Sequence, residues 1–420
     1  MKTTRTARQA AIAVISALLI SAPATGWATP PVAPAQDAGP ASLAAAIGRD
    51  LGLSPQEYLR RAELAQRLAA FAAVQRQRSP GSVRGIWLDH AGRAVVVAGN
   101  DAARAAARQA GFVLAPAPVG GAHASDAAAP VSAADTPGSD ATGPASRLPR
   151  TPAAAPAGAV AGGDRYMSIT QPSTHQGSIC SWAFAAIDRA GNPAALTAGH
   201  CNAAALADEP IAADQRAYQL LPGNKPGAVL GTFEKSVVDG IRDYSIVRIA
   251  APQRDTAAGN LVRGPVGAAP VRITGAGIPV AGAPVCKSGS TTGFTCGVIT
   301  AVDQPDPQRP PIRFKHTALT LPGDSGGALV SGTLAMGIVS DGGIYSDPSV
   351  FPTDRPGVLP PPPPGLPSAG ALLEQFGPRG FEQVSPPIDN LLPYVPQVTM
   401  IAQSVADVLA ENPGLRIRTS

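Results

Sequence analysis

Ser325 lies in the segment Leu321–Val330, LPGDSGGALV, where its neighbours are glycines and an aspartate. A serine hydroxyl is a poor nucleophile unless a base removes its proton and backbone N–H groups receive the charge of the tetrahedral intermediate. The glycines permit a sharp bend and leave room for a substrate carbonyl beside the N–H groups of Gly323 and Ser325. Because Gly, Asp and Ser also favour turns, the string by itself also fits a surface turn. Its interpretation as a nucleophile depends on the rest of the chain.

A histidine is the natural base for such a serine, because its unperturbed pKa of about 6.5 lets it take and return a proton near neutrality. His200 ends an apolar run, LTAGHC, and is followed by Cys201, whose disulfide would fix the local backbone. A histidine at a strand end is more often structural, but the adjacent cysteine favours a catalytic one. The other histidines lie in less distinctive settings: His90, His123, His175 and His316.

The third member of such a site is a carboxylate that orients the imidazole and stabilises its protonated form. Asp243 directly precedes the apolar strand pattern Tyr244–Val247, so its side chain is expected at a strand start, partly buried. Asp239 lies in a glycine-containing turn just before it and is the alternative. On the residues alone, both aspartates stay candidates.

The elements around these residues are predicted to be short strands. Glycine and proline number 45 each and charged residues make up 15%, which suits a loop-rich β protein with flexible spacers. From residue 164 onward, short apolar runs alternate with Gly/Pro turns, which is typical of an antiparallel barrel or sandwich. We expect this domain to span 164–395, with a proline-rich insertion at about 345–378 and a C-terminal tail at 396–420.

A smaller unit precedes this domain. A capping box with proline at the first helical position, Ser54–Glu57, predicts the start of a helix. Two strand patterns joined by a tight turn follow, and Asn100 caps a second, short helix. Residues 41–115 are therefore predicted to form an α+β unit. An Ala/Pro/Gly-rich linker, 116–163, has too few large apolar residues to form a core of its own.

Residues 1–28 have the features of a Sec-type secretory signal peptide. Three basic residues precede the apolar run Ala10–Ile20, and Gly26-Trp27-Ala28 places small residues where a signal peptidase reads them. The apolar run is too short to span a bilayer, so the chain is expected to be secreted, without a stable membrane anchor. Residues 29–115 and the linker then have the layout of a propeptide. A permanent accessory domain on a stalk fits this layout equally well.

The charge distribution bears on nucleic-acid binding, and the cysteine content bears on disulfide bonds. The formal net charge is +4, but residues 1–163 carry 15 Lys/Arg against 9 Asp/Glu, whereas residues 164–420 carry 18 against 20. The β domain is therefore slightly acidic and is not expected to bind nucleic acid. The cysteines all lie in the β domain: Cys180, Cys201, Cys286 and Cys296. An even number in an exported chain predicts two disulfides, with three possible pairings.

Four motifs together resemble the secreted bacterial chymotrypsin-like serine proteases, the streptogrisin and α-lytic protease group. They are LTAGHC around His200, DYSIV from Asp243, VCKSGSTTGFTCG from Val285 and PGDSGG around Ser325. The resemblance implies two antiparallel six-stranded β-barrels with the triad His200, Asp243 and Ser325 between them, and it favours Asp243 over Asp239. It also implies disulfides Cys180–Cys201 and Cys286–Cys296, and a propeptide that assists folding and is later removed.

The same resemblance suggests how substrate is held. Ser340, Asp341 and Gly342 match the segment that pairs its backbone with an extended peptide. Leu319 and Val339 stand where relatives selective for basic or glutamate residues have an acid or a histidine. An uncharged, apolar residue before the cleaved bond is therefore expected. Lys287 stands where many relatives have an arginine that pairs with the Asp of GDSGG, and a lysine pairs only as a point charge.

We therefore expect a secreted serine endopeptidase that works through an acyl-enzyme, with Gly323 and Ser325 as the oxyanion hole. Its partners would be protein or peptide substrates and its own propeptide, and it would be monomeric. Neither a metal nor a cofactor is expected, because no histidine pair has ligand spacing and the cysteines are assigned to disulfides. The alternative is a secreted, catalytically inactive binding protein of the same fold, attached through the proline-rich segment that contains Pro360–Pro364.

Overall fold

The computed structural model describes residues 42–116, 160–171, 176–206, 215–255, 259–344 and 398–419. The signal peptide, most of the linker, His123, His175 and the proline-rich insertion lie outside these residues. All described residues belong to one compact unit. None of its helices is both long enough and apolar enough to cross a membrane.

The N-terminal part, 42–116, is the predicted α+β unit. The N-cap at Ser54 forms as expected, with its hydroxyl accepting from the N–H of Glu57 at 3.1 Å, while the Glu57 carboxylate pairs with Arg60 and Arg61. The Asn100 side chain likewise accepts from the N–H of Ala103 at 2.8 Å. β1 and β2 pair antiparallel, and β3 joins β2 in parallel. The elements are α1 Leu43–Leu51, α2 Pro55–Arg78, β1 Val83–Leu88, β2 Ala94–Ala98, α3 Asp101–Gln109 and β3 Val113–Leu114.

The first large sheet has eight strands in the order β20-β6-β7-β10-β9-β8-β4-β5. The central strand β10 lies between β7 and β9 and is antiparallel to both. The end of β7 therefore lies beside the start of β10, which places His200 near Asp243. The strands are β4 Arg165–Gln171, β5 Gln176–Ser181, β6 Ala185–Ile187, β7 Pro193–Thr197, β8 Arg216–Leu221, β9 Lys225–Val238, β10 Asp243–Ile249 and β20 Arg416–Ile417, with a helix α4 Ala203–Leu206.

The second sheet closes into a barrel of six strands, β18-β17-β14-β15-β16-β19, because β19 also pairs with β18. A short strand, β13, joins β18 in parallel, and β11 and β12 form a separate ribbon. The elements are a 3-10 turn Ala251–Gln253, β11 Leu261–Val262, β12 Val271–Arg272, β13 Gly275–Ala276, β14 Pro284–Gly289, β15 Gly293–Asp303, β16 Arg313–His316, β17 Ala328–Ser331, β18 Leu334–Ile344, β19 Val398–Ser404 and α5 Val405–Glu411.

The predicted fold class, an all-β chymotrypsin-like domain preceded by a small α+β unit, is confirmed. The second barrel has the expected six strands, whereas the first sheet has eight and, among the described residues, no pairing of its end strands closes it into the expected barrel; one of the eight is the C-terminal β20, which joins it through β6. The first sheet is thus completed from a distant part of the chain.

The segment 396–420, expected to be a tail, instead contributes structure to both sheets. Its strand β19 closes the barrel, α5 packs on β18 and β19, and β20 pairs with β6. The sequence was misleading because Ile401, Val405 and Val408 have helical spacing. The strand passes directly into the helix at Ser404, with no glycine or proline to mark the change.

The end of the predicted linker also belongs to the β domain. Ala161 is only 5% exposed, and Gly162 pairs with Val262 as an isolated parallel bridge. A Cβ atom on Gly162 would lie 2.3 Å from the carbonyl oxygen of Ala183, so only glycine fits this close approach. Residues 160–163 are therefore part of the folded domain, and the boundary that the sequence placed at 164 is too late.

The N-terminal unit shares its hydrophobic core with the β domain. One buried cluster joins Ile47 and Tyr58 to residues of both large sheets and to Trp182, which follows β5 and whose ring stacks on Tyr166 at 4.0 Å. A second cluster joins Leu68 and other residues of α2 to the interior of the closed barrel. Because buried apolar contact is the main stabilising term in folding, the two parts stabilise each other.

Candidate active site

The side chain of His200 and the buried carboxylate of Asp243 form a pair in which two hydrogen bonds join the residues. The backbone N–H of His200 donates to Oδ1 of Asp243 at 2.8 Å, and its Nδ1 lies 2.8 Å from Oδ2. Asp243 is 4% exposed, while the His200 side chain keeps 14%, so one edge of the imidazole faces outward. Gly199 allows this approach, because a Cβ atom there would lie 2.1 Å from the Val237 carbonyl oxygen and 2.9 Å from Asp243 Oδ1.

The alternative carboxylate, Asp239, has a local role. Its Oδ1 accepts the N–H groups of Ile241 at 3.0 Å and Arg242 at 2.6 Å, which closes the turn before β10. No bond joins it to His200 among the described residues. Of the two candidates, Asp243 is the one that contacts the imidazole.

Two residues of the second barrel complete the surroundings of Asp243. The Ser340 hydroxyl on β18 donates to Oδ2 at 2.6 Å, and the N–H of Asp243 donates to Oε1 of Gln403 on β19 at 3.0 Å. The sequence interpretation assigned Ser340 only to substrate binding and did not single out Gln403. These contacts depend on how the two sheets pack, so no local pattern indicates them.

The ionisation of the pair favours a charged carboxylate. Burial alone would lower the pKa of His200, but the charge of Asp243 and its hydrogen bond outweigh burial and raise it above the usual value. Burial alone would raise the pKa of Asp243, but His200 and the Ser340 hydroxyl lower it below the usual value. Asp243 is therefore suited to hold the Nδ1–H of the imidazole, which leaves Nε2 free to accept a proton.

Ser325 lies in the turn before β17, packed against the end of β7. Its carbonyl oxygen accepts from the N–H of Ser181 at 2.8 Å. The next residue, Gly326, would place a Cβ atom 2.1 Å from Thr197 Oγ1 and 3.1 Å from the Ala198 nitrogen. Since β7 leads directly into His200, the fold brings the Ser325 turn to the segment that carries the imidazole.

The backbone around Ser325 leaves two N–H groups available. The Asp324 carbonyl oxygen accepts from the N–H of Gly327 at 2.8 Å. Because C=O and N–H point in opposite directions across a trans peptide, the Ser325 N–H points away from Gly327. Within the described part of the chain, the N–H groups of Gly323 and Ser325 donate to no acceptor. This arrangement suits a pair of donors for an oxyanion.

Asp324 is a second buried carboxylate, fully enclosed together with Lys287. Nζ of Lys287 lies 3.3 Å from Oδ2 of Asp324, and both side chains have 0% exposure. Oδ1 accepts the N–H groups of Thr291 at 2.8 Å and Thr292 at 3.0 Å. Oδ2 accepts the Thr292 hydroxyl at 2.6 Å and the N–H of Leu321 at 3.0 Å. The lysine lacks the fork of an arginine, and these four donors satisfy the carboxylate instead.

The two disulfides pair as the resemblance implies, Cys180 with Cys201 and Cys286 with Cys296. The first ties β5 to the residue after His200, and the second joins directly opposed residues of β14 and β15. Cys180, His200 and Cys201 are the one cluster of possible metal ligands among the described residues. Its two sulfurs are bonded to each other, so this cluster does not offer a metal site.

The predicted substrate-binding residues lie on β18, in the part of that strand that pairs with β19. Asp341 and Gly342 pair with Ile401 and Met400 of β19. The pairing of β18 with β17 reaches only to Ile338, opposite Ala328. The pairing with β17 therefore ends before positions 340–342, the segment that the resemblance matches to substrate binding.

The sequence of the chain is similar to those of known bacterial serine proteases. It is 32% identical over 187 residues to streptogrisin-C of Streptomyces griseus, which covers 44% of this chain and 35% of that protein. It is 30% identical over 170 residues to serine protease 2 of Streptomyces fradiae, which covers 40% of this chain and 88% of that protein. The chain therefore belongs to the family of bacterial chymotrypsin-like serine proteases.

Two further results complete the comparison. Among solved structures, the Nocardiopsis protease NAPase is 25% identical, with 62% of this chain and 99% of that chain covered and a TM-score of 0.38. No protein-family model matches the sequence. The chain spans about a third of the length of streptogrisin-C.

Proposed function

We propose that this chain is a secreted serine endopeptidase, made as a precursor. Ser325 attacks the peptide carbonyl to form an acyl-enzyme, and His200 takes the serine proton and returns it to the leaving amine. Asp243 orients the imidazole, and the N–H groups of Gly323 and Ser325 hold the oxyanion. The observation that carries the proposal is the buried His200–Asp243 pair, with Nδ1 2.8 Å from Oδ2, at the strand end that packs against the Ser325 turn.

The N-terminal unit is proposed to be a propeptide rather than a stalked accessory domain. It is docked on the second barrel through polar contacts as well as apolar ones. Asp50 Oδ2 accepts the N–H of Cys296 at 2.7 Å, and the Tyr58 hydroxyl accepts the N–H of Gly332 at 3.0 Å. Such docking supports a partner that assembles with the barrel as it folds. A domain carried on a flexible stalk would not require it.

We propose that the cut that releases this unit lies before Val160. The N–H of Gly162 donates to the Leu261 carbonyl at 2.9 Å, and the Gly162 carbonyl accepts from Arg263 at 2.8 Å. Asp164 accepts the N–H of Ala161 at 2.9 Å and pairs with Arg263 at 2.8 Å. A cut within residues 161–164 would divide the segment that makes these bonds, whereas a cut upstream leaves that segment whole.

The proposed substrates are extended peptides that lie along residues 340–342, with an apolar residue before the cleaved bond. The apolar preference rests on Leu319 and Val339, which carry no charge to pair with a charged side chain. A panel of peptide substrates that differ only at this position tests the preference. A strong preference for Arg, Lys or Glu would contradict it.

Secretion is proposed from the signal-like start together with the two disulfides, since disulfides persist in oxidising environments. The proposed enzyme acts as a monomer and uses no metal or cofactor. N-terminal sequencing of protein recovered from the culture medium tests export. A chain found only in the reducing cytoplasm, with its cysteines as thiols, would contradict it.

The experiment that tests the function treats the purified secreted protein with a fluorophosphonate probe. Mass spectrometry then identifies the labelled peptide and the new N-terminus. Label on Ser325, absent in Ser325→Ala, with an N-terminus upstream of Val160, is the expected result. A folded, processed chain that takes no label would instead favour the inactive binding protein.

Self-cleavage is tested by the same variant. A Ser325→Ala precursor, expressed alone and folded, is expected to retain residues 42–116 covalently. If this variant is processed normally, another protease makes the cut.

A further inference from the structure

The turn between β14 and β15 presents hydroxyl groups to the proposed oxyanion backbone. Its sequence is part of the VCKSGSTTGFTCG motif, and the function proposed above uses none of the hydroxyl groups of this turn. Thr291 Oγ1 donates to the carbonyl oxygen of Pro322 at 2.8 Å. Ser290 Oγ donates to the carbonyl oxygen of Gly323 at 3.0 Å, and Ser181 Oγ donates to that same oxygen at 2.8 Å.

The Thr291 contact determines which way the Gly323 N–H points. The peptide joining Pro322 to Gly323 is trans, as are all peptides in the described ranges. In a trans peptide the C=O and N–H point in opposite directions. The bond from Thr291 to the Pro322 carbonyl therefore aims the Gly323 N–H away from the turn. Rotation of this peptide plane would replace the donor with a carbonyl oxygen, which would repel an oxyanion.

Gly323 cannot resist such a rotation by itself. Its φ is +98°, in the region where glycine moves freely and other residues are strained. A Cβ atom there would lie 2.3 Å from Thr291 Oγ1, so the position also excludes any other residue sterically. The restraint on the peptide plane must come from outside the backbone. Among the described residues, Thr291 is the one donor to the Pro322 carbonyl.

The turn that carries Thr291 is itself firmly held. Its N–H donates to the buried Asp324 carboxylate, and that carboxylate also accepts the N–H of Thr292 and pairs with Lys287. The hydroxyl is thus presented from a fixed point. A donor whose position is fixed in advance loses little entropy when it forms its bond.

We propose that Thr291 is a positioning residue for the oxyanion hole, its hydroxyl holding the Pro322–Gly323 peptide with the Gly323 N–H directed at the developing negative charge. This inference rests on the proposed function, since it concerns the same reaction. Thr291 acts through Gly323 and does not itself touch the reacting atoms.

Kinetics of Thr291→Val test the proposal, because valine keeps the β-branched shape and removes only the hydroxyl. Losing one oxyanion donor typically lowers kcat by about 10²–10³-fold. A peptide freed to rotate loses the donor for part of the time, so a fall in kcat of about 10–100-fold is expected. KM for a peptide substrate should change little, because the contact matters chiefly in the transition state.

Two matched variants sharpen the test. Thr291→Ser keeps the hydroxyl and is expected to restore kcat to within about threefold of the natural chain, because the donor returns. Ser290→Ala removes a hydroxyl from the same turn but leaves Ser181 on the Gly323 carbonyl, so kcat should again stay within about threefold. Equal kcat in Thr291→Val and the natural chain would overturn the proposal. So would a Thr291→Ser variant as slow as Thr291→Val.

A crystal structure of Thr291→Val separates this inference from the proposed function. The Pro322–Gly323 peptide is expected to be rotated or in two orientations, a result that does not depend on turnover. If the natural chain takes no fluorophosphonate label, the proposed function fails, and the orientation of this peptide still decides the role of Thr291. A peptide unchanged in Thr291→Val would overturn the role. If the valine variant fails to fold, Thr291→Ala is used for the same measurement.

Discussion

Asp243 and Asp324 are both buried aspartates beside the proposed reaction centre, yet their partners differ in kind. Asp243 faces His200, the proposed general base, whose imidazole can gain or lose a proton. Asp324 faces the ammonium of Lys287 and four hydrogen-bond donors, which come from Thr291, Thr292 and Leu321. The first carboxylate is therefore coupled to a titrating group. The second is fixed, and its role is to shape the backbone that carries Ser325.

This difference shows that one residue type performs two tasks according to what surrounds it. A buried charge is tolerated only when it is paired and hydrogen-bonded. Asp243 meets that requirement with few partners, and one of them, His200, titrates. Asp324 meets it with four hydrogen-bond donors and the ammonium of Lys287. Substitutions at the two positions should therefore fail in different ways, in activity at the first and in stability at the second.

The largest expected effect is that of Asp243→Asn on activity. An asparagine cannot stabilise the protonated imidazole and favours the wrong tautomer, so kcat should fall about 10⁴-fold. Hydrolysis of a peptide substrate by a chain purified in folded form measures this. The midpoint of thermal unfolding serves as the control and should move little. Activity within tenfold of the natural chain would show that Asp243 does not have this role.

The next effect is that of Asp324→Asn on stability. It leaves the buried Lys287 ammonium without its counter-charge, and breaking a buried pair on one side typically costs about 3–5 kcal/mol. Denaturant unfolding measures the loss. The double variant Asp324→Asn with Lys287→Met removes both charges and should recover part of that free energy. A single variant as stable as the natural chain would contradict the structural role of the pair.

The pH dependence of His200 gives a third test. The raised pKa of His200 means that the neutral base, and with it kcat/KM, should appear as pH rises through a midpoint above 6.5. The contribution of His200 to the free energy of unfolding changes in the opposite direction, decreasing as pH rises. The protonated imidazole stabilises the fold below its unfolded pKa, and that contribution is lost as pH rises through the folded pKa.

Replacing Asp243 should reverse the shift. In Asp243→Asn the negative charge that attracts the protonated imidazole is removed, whereas the imidazole stays buried. The pKa of His200 should therefore fall below its value in the natural chain. NMR titration of the imidazole in a Ser325→Ala background measures it directly. A midpoint that does not move on substitution would mean that the pair is not coupled.

A smaller effect is expected for Ser340→Ala. It removes one donor from Asp243, and hydrogen bonds to charged groups contribute about 1.5–3 kcal/mol, so kcat/KM should fall at least about tenfold. Ser331→Ala is the matched control, because its buried hydroxyl donates to the Pro284 carbonyl at 2.7 Å and touches neither aspartate. It should lose stability but not activity. If both variants lose activity equally, Ser340 has no special role.

Much of the reaction centre could be predicted from the sequence because its signals are local. The short motifs around His200, Asp243 and Ser325 place each residue at a strand end or in a glycine turn. The helix caps at Ser54 and Asn100 formed as predicted, since a cap depends only on the next three residues. The two disulfides followed from the resemblance.

What could not be predicted depends on packing between distant segments. Ser340 and Gln403 reach Asp243 from strands far along the chain, and Asp50 reaches Cys296 from the N-terminal unit. No period or motif encodes such contacts, because strand register and sheet packing determine them. The same limit explains why the sequence does not predict β19 in the segment expected to be a tail.

The closing strand of the barrel also imposes an order of events during synthesis. β19 supplies Gln403 to Asp243 and seals the barrel, yet it follows both Asp243 and Ser325 along the chain. A chain emerging from the ribosome or an export channel carries all three proposed catalytic residues before it carries this strand. The nascent chain therefore cannot assemble the complete site until its C-terminal portion has emerged.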